Sequence, residues 1–269
     1  MLYFPPNELE GTVRPATTVI KVCRIMEQFQ DRESLGIADL ARRTGLLPSD
    51  IHRIVRSLLA VHYVDQDPET KKYRLGFALV RLGLTAFRGN LLREKARPIL
   101  AQVSKRLGAT IHLTLFECDR LELRHLDQTN GPTAAMLQGH QLGGVEQLHC
   151  TAVGKAILAS LDQDTLASAL QKSGLPRLTR ETITDAATLV RQLEEVRRLG
   201  YASDREELRP GICCVGSPIR DHSNAVVGAI SASIPASNFL LCEEPHVGAI
   251  LKAAADDLSA AFSVSRLGF

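Results

Sequence analysis

The chain has 269 residues, 45% apolar and 23% charged, a composition that argues against a disordered or fibrous polymer and leaves room for two domains with cores of their own. Its apolar runs stay short of the roughly 20 residues that a membrane span needs, and its 6 cysteines form no C-x-x-C pair or regular framework, so reduced thiols in a cytoplasm are expected, with no zinc or redox site. The net charge of +2 is unevenly spread: from Lys71, Lys72 and Arg74 to Arg97, Lys105 and Arg106 the basic residues are opposed by Glu94 alone, as expected where one end meets a polyanion.

Residues 1–12 carry Pro5-Pro6 and glutamates without a basic or apolar leader region, and read as a flexible tail rather than a signal peptide or anchor. From Thr17 to Phe29, the residues Val19, Ile20, Val22, Ile25, Met26 and Phe29 recur at helical spacing. A second helix is expected over Leu35 to Thr44, ended by Gly45 where a C-cap favours a left-handed residue, and Pro48 suits the first turn of a third, from about Ser49 to Ala60. Ile51, Ile54, Val55, Leu58 and Leu59 form its buried stripe, leaving Ser49, Asp50, His52, Arg53, Arg56 and Ser57 on or near the exposed side. Tyr63-Val64-Asp65 and Tyr73-Arg74-Leu75 flank a turn-rich basic segment and read as a β-hairpin wing. Residues 13–76 are thus expected to form a winged helix-turn-helix, whose third helix enters the major groove of double-stranded DNA while other parts grip phosphates. A protein-interaction domain is the alternative; His52, Arg53 and Arg56 on the helix, with Lys71, Lys72 and Arg74 on the hairpin, favour DNA.

Phe77 to Leu107 reads as helix broken near Gly89, with 77–92 as the connector to a second domain over 93–269. There Thr110 to Glu117, Leu121 to Leu126 and Thr133 to Leu137 read as strands, followed by helices from Thr151, over Asp164 to Lys172 and over Asp185 to Leu199. Ile212 to Ile219 and Ala225 to Ile234 form a hairpin around Asp221-His222-Ser223-Asn224, and an amphipathic helix runs from His246 to Phe262. The fold class is α+β.

The stretch from Leu148 to Ala159 carries the most chemistry. Thr151 reads as a helix cap followed by small residues, so the first turn is open enough to hold a small carboxylate on backbone N–H groups, aided by the helix dipole. The same residues also fit an ordinary buried helix in close packing. Gly154-Lys155 is no P-loop, because Ala156 stands where Ser or Thr would hold magnesium and the upstream glycine is missing.

In order and spacing the chain resembles the IclR family of bacterial transcription regulators from about Arg14 to its last helix. The matching pieces in the first half are Leu40-Ala41, Thr44-Gly45-Leu46, Pro48-Ser49, His52-Arg53, Leu58-Leu59 and Tyr73-Arg74-Leu75-Gly76. In the second half they are Leu148-His149, Thr151-Ala152, Gly154-Lys155-Ala156, Gly200-Tyr201-Ala202, Glu206-Glu207, Gly211-Ile212, Ser217-Pro218-Ile219-Arg220-Asp221 and Ala229-Ile230-Ser231-Ala232-Ser233. The resemblance implies a cytoplasmic homodimer, often a dimer of dimers, that binds operator DNA and responds to a small metabolite in a GAF-like domain. It implies no enzymatic activity, cofactor or metal, and places an effector carboxylate on the backbone of Ala152 and Val153 and on Asp204, Cys214, Ser231 and Ser233. Backbone amides and hydroxyls are donors suited to a carboxylate, whereas an ionised Asp204 only accepts and suits a ligand hydroxyl. Met136 and Leu137 are expected against the body of the ligand, a keto acid or an aromatic acid, though core packing accounts for them equally well.

Three positions depart from the family pattern. Asp50 stands where a small hydroxyl residue is usual; it would repel phosphate and could accept from a cytosine amino group. His62 replaces a glycine before the first wing strand, and Gly216-Ser217 replaces alanines, which alters the expected pocket. Two competing functions are a thiol hydrolase, with Cys214 as nucleophile, His149 as base and Asp204 as orienter, and a sensor acting through protein partners alone.

Overall fold

The computed structural model describes residues 15–30, 32–88, 91–129, 131, 143–239 and 243–263. The chain divides between Asn90 and Leu91 into two compact units, a boundary inside the segment read as the connector. In the first unit the helical periodicity becomes α1 (Thr17–Glu27), α2 (Ile37–Thr44) and α3 (Pro48–Ala60), which bury Ile25, Leu40, Ile51 and Val55 in a shared core. Gly45 ends α2 in the left-handed region, φ 70°, with its N–H returned to the Ala41 carbonyl. Pro48 opens α3, where its missing N–H removes no helical hydrogen bond. Leu35, read as the start of α2, lies outside it: its backbone exchanges two hydrogen bonds with Tyr73, which ties the hairpin of β1 (Val64–Gln66) and β2 (Tyr73–Leu75) to the helices. The helix begins only after Gly36, and α4 (Phe77–Arg88) follows the hairpin.

The second unit holds a six-stranded antiparallel sheet in the order β5-β4-β3-β8-β7-β6. Its strands are β3 (Thr110–Glu117), β4 (Glu122–Gln128), β5 (Val145–Glu146), β6 (Ala202–Arg205), β7 (Ile212–Arg220) and β8 (Val226–Pro235). Side chains alternate between faces with period two. Ile111, Leu113, Val215, Ile230 and Ala232 therefore share one face, packed on Leu92 and Leu100 of α5 (Leu91–Leu107) and Leu251 and Leu258 of α10 (Glu244–Ser263). On the other face Leu123, Ala202 and Ala229 pack with α6 (Ala152–Leu158) and α8 (Ala186–Leu199); α7 (Gln163–Ser173) adds Leu166 and the short α9 (Ala236–Phe239) closes β8. With both faces covered, β8 is buried without a break from Gly228 to Ile234, Ser231 and Ser233 included. β5 and β6 are too short to show alternation and are absent from the sequence reading, while the expected strand Thr133 to Leu137 and the tail 1–12 lie outside the described residues.

His62 sits at φ 57°, a left-handed conformation that favours glycine, and its carbonyl would lie 2.2 Å from a side chain added at Gly76. The departure at His62 is thus a strained residue in a turn packed too closely to relax. Its side chain is exposed. His62→Gly is expected to stabilise the first unit by about 0.5–1 kcal/mol, read as a higher urea midpoint with unchanged slope; a lower midpoint would show that the imidazole contributes more than the backbone strain costs.

Candidate functional site

On α3 the buried stripe leaves Ser49, His52, Arg53, Arg56 and Ser57 exposed, and Lys71, Lys72 and Arg74 are exposed on the hairpin. Asp67 builds that turn: its carboxylate accepts from the Glu69 and Thr70 N–H groups, and Lys71 takes φ 57°. Asp50 is the exception to the expected open surface. It is half-buried, one carboxylate oxygen accepts from Lys21 Nζ on α1 at 2.7 Å, and the other faces Arg53 Nη2 at 3.4 Å. The Lys21 ammonium holds the Asp50 carboxyl below the usual range. Both Asp50 oxygens are engaged within the protein, and the carboxylate braces Lys21 and Arg53.

In the second unit, α6 lies on the sheet with its first turn over β7. Gly216 permits this contact, since a side chain there would come within 3.1 Å of the Ala152 carbonyl carbon and the Val153 nitrogen. Gly154 permits the turn before it, where a side chain would meet the Leu148 carbonyl at 2.3 Å. Thr151 caps the helix by accepting from the Gly154 N–H at 3.0 Å, and its hydroxyl donates to the Gln147 carbonyl. Between α6 and the sheet is a cavity with about 470 Å³ of space unfilled by protein, part of it open to solvent. Ala152 and Val153 from α6, Asp204 from β6, Cys214 from β7, and Ser231 and Ser233 from β8 all line it. Pairing explains the convergence: Asp204 opposes Cys214, Cys214 opposes Ser233, and Gly216 opposes Ser231, so these residues share one face of the sheet. Cys214 Sγ lies 3.2 Å from Ser233 Oγ. Met136 and Leu137 lie outside the described residues.

The electrostatics follow from burial. Lys155, whose side chain is 0% exposed, donates to Glu207 Oε1 at 2.5 Å and to Gln192 Oε1 at 3.1 Å. Glu207 in turn donates its backbone N–H to Asp204 Oδ1 at 2.7 Å and accepts at its carbonyl from Thr182. Burial pushes the Asp204 carboxyl up to about 7 against the opposing pull of Lys155, so at neutral pH it is partly protonated and able to donate. Burial also raises the Cys214 thiol far above its ordinary range, and lowers the His149 imidazole, whose Nε2 meets the Pro176 carbonyl at 3.0 Å. The expected nucleophile is thus a protonated thiol beside a serine, and the expected base is engaged elsewhere. Among the described residues no His, Cys, Asp and Glu group could hold a metal ion.

The cavity has further walls that the sequence reading missed. His112 and Thr114 on β3 and His125 on β4 are polar residues at alternating positions of otherwise buried strands, a signal visible in the sequence. Glu146 on β5, and Leu208 and Arg209 on the loop after β6, carried no local pattern.

Residues 18–68 match the IclR helix-turn-helix domain and residues 85–260 the bacterial transcriptional regulator IclR C-terminal domain. The chain belongs to the IclR family. This IclR-family chain is 32% identical over 217 residues to the HTH-type transcriptional regulator XynR of Escherichia coli (strain K12), spanning 80% of this chain and 85% of that one. It is 29% identical over 254 residues to KdgR of the same strain, another HTH-type transcriptional regulator, spanning 94% and 95%. The IclR transcriptional regulator from Alicyclobacillus acidocaldarius matches its fold with a TM-score of 0.78 at 27% identity, covering 93% of this chain and 100% of that one. An IclR homologue from Microbacterium hydrocarbonoxydans complexed with 4-hydroxybenzoate gives 0.75 at 28% identity over 92% and 100%. The family is one of DNA-binding transcription regulators and not of enzymes, which overturns the hydrolase alternative together with the thiol geometry.

The Lys155–Glu207 pair joins α6 to the loop that carries Leu208 and Arg209. Lys155→Met leaves the Glu207 carboxylate buried without its cation and is expected to destabilise the second unit by about 3–5 kcal/mol. The double variant Lys155→Met/Glu207→Leu should recover most of that in chemical denaturation; a single variant as stable as wild type would remove the pair from its assigned role.

Proposed function

We propose that this chain is a ligand-responsive regulator of a catabolic operon, acting in the cytoplasm as a homodimer or dimer of dimers, with a small carboxylate bound in the α6–sheet cavity. The observation that carries this reading is convergence: Ala152, Val153, Asp204, Cys214, Ser231 and Ser233, scattered over the sequence, line one cavity. The Ala152 and Val153 amides, the two hydroxyls and a protonated Asp204 are the donors that a carboxylate requires, and Arg209 adds a cation to the lining. A keto acid or an aromatic acid satisfies this anchor. Phe77 and Leu82 on α4 are 71% and 52% exposed, apolar surface that suits a contact between copies. No helix among the described residues is long and apolar enough to cross a membrane.

On DNA, Ser49, His52, Arg53 and Arg56 face the major groove, Asp50 steadies Arg53, and Lys71 and Lys72 grip phosphates. A mobility-shift titration with the DNA next to its own gene tests this. Arg53→Ala should weaken specific binding by about 1–3 kcal/mol with little effect on random DNA, whereas Lys71→Ala/Lys72→Ala should weaken both and flatten the salt dependence. Specific affinity unchanged by Arg53→Ala in a folded protein would sink the assignment.

The cavity makes a pH-dependent demand. A ligand carboxylate is ionised throughout the neutral range. Below about pH 7 Asp204, flanked by Lys155 and Glu207, is neutral and can donate to that anion; above it, Asp204 becomes a second anion in the same space. Affinity for the effector should therefore fall as pH rises through 7, and Asp204→Asn should flatten the profile. Ser231→Ala with Ser233→Ala should abolish the ligand response while DNA binding persists, since each hydrogen bond to an ionised group contributes about 1.5–3 kcal/mol. Calorimetric titration across pH 6–8 checks both; an affinity that rises with pH, or a double variant that responds normally, contradicts the pocket.

A further inference from the structure

The last strand of the sheet separates two recesses. β6 closes the strand order, and alternation turns Asp204 toward the α6 cavity and Ser203 and Arg205 to the opposite face. There Ser203 and Arg205 meet a groove between α8 and α10, with about 620 Å³ of space unfilled by protein, part of it open to solvent. Val196 and Leu199 of α8 and the ring of Tyr201 give it an apolar lining; the ring lies close against α10 because Gly248 has no side chain, and one added there would come within 2.5 Å of it. Tyr201 is 8% exposed, yet its hydroxyl makes no hydrogen bond among the described residues, and neither does that of Ser203. Burial, helped by the Glu244 and Glu195 carboxylates, raises the Tyr201 hydroxyl above its ordinary range, so it keeps its proton at neutral pH. Gln192 is engaged at one end only: Lys155 Nζ can only donate, so the amide oxygen faces it at 3.1 Å and the NH₂ group is left to the groove that Gln192 lines. The charges around the groove are matched in pairs, Arg205 Nη2 lying 2.7 Å from Glu244 and Arg198 Nη2 3.6 Å from Glu195.

We propose that this groove binds a neutral polyhydroxylated molecule, a monosaccharide or cyclitol, at a site separate from the α6 cavity. A ligand hydroxyl both donates and accepts, which matches the hydroxyls of Tyr201 and Ser203, and its oxygen accepts from the Gln192 NH₂ group. A ligand oxygen thus supplies the buried tyrosine with the partner that the protein does not. A sugar ring also has a C–H face, for which Val196, Leu199 and the Tyr201 ring offer apolar surface. An anion would meet two carboxylates, while Arg205, the cation in the lining, is already paired with Glu244. A cation would find both carboxylates already matched. The groove therefore favours an uncharged ligand rich in hydroxyls.

The test is calorimetric titration of the full chain with glucose and myo-inositol as neutral polyols, and with glucosamine and glucuronate as the cation and anion on the glucose frame. Each titration is repeated with Ser231→Ala/Ser233→Ala, which removes the hydroxyl donors of the α6 cavity. Glucose or myo-inositol should bind wild type and that variant equally well, and in the variant glucosamine and glucuronate should bind more weakly than glucose. Tyr201→Phe and, separately, Ser203→Ala should weaken polyol binding about two- to tenfold, the fold-change of one hydrogen bond between uncharged groups. Tyr201→Phe keeps the ring against Gly248, and Ser203→Ala probes the same site without touching the core. Failure of both polyols to bind, binding indifferent to both variants, or tighter binding of glucosamine or glucuronate would overturn the proposal. Polyol binding lost in Ser231→Ala/Ser233→Ala but kept in Tyr201→Phe would place the ligand in the α6 cavity and overturn it equally. The carboxylate reading of that cavity is decided separately, by titration with acids.

Discussion

A fully buried ammonium has one stable arrangement in a protein, a carboxylate at hydrogen-bonding distance with further polar groups around both ions. Lys155 meets that condition through Glu207 and Gln192, and the rest of the sensor unit is arranged about the result. Lys155 belongs to the helix that supplies Ala152 and Val153, while Glu207 belongs to the loop that supplies Leu208 and Arg209. One ion pair thereby fixes two walls of the cavity. Through its backbone N–H, Glu207 also holds Asp204. A buried acid beside a committed ion pair stays neutral more readily than one facing a spare cation, which is why desolvation prevails over the Lys155 charge at Asp204.

The same economy of charge operates in the DNA-binding unit. Asp50 reads from sequence as an anion misplaced on a surface meant for phosphate. In the fold it is engaged by Lys21 and Arg53. Its charge is absorbed locally, and its geometric effect is to hold an arginine on the exposed side of α3.

Much of this was legible in the sequence because it depends on local rules. Gly45 and Pro48 set the end of α2 and the start of α3, while alternation in β3 and the hairpin pattern of β7 and β8 marked the central strands. The lining by Ala152, Val153, Asp204, Cys214, Ser231 and Ser233 was recoverable from the family motif, since these residues sit in short recognisable pieces. What stayed hidden is long-range. Lys155–Glu207 spans 52 positions and Lys21–Asp50 spans 29, and no local pattern announces such partners. Glu146 belongs to a strand of two residues, which carries no periodicity. His112, Thr114 and His125 were visible as polar residues in buried strands, but their convergence with Ser231 depends on strand order, and that order is a property of the whole chain.

The alternation of side chains along β3, β7 and β8 has a consequence for how such a regulator can change over generations. Ile111, Leu113, Val215, Ile230 and Ala232 hold the sheet to its helices, while His112, Thr114, Cys214, Ser231 and Ser233, interleaved with them, face the cavity. Neighbours in the chain therefore answer to unrelated demands. A substitution at one of the cavity positions can alter which molecule is welcomed without loosening the layer that keeps the domain folded. The residues that shape the cavity and those that hold the architecture are thus separated by a single peptide unit.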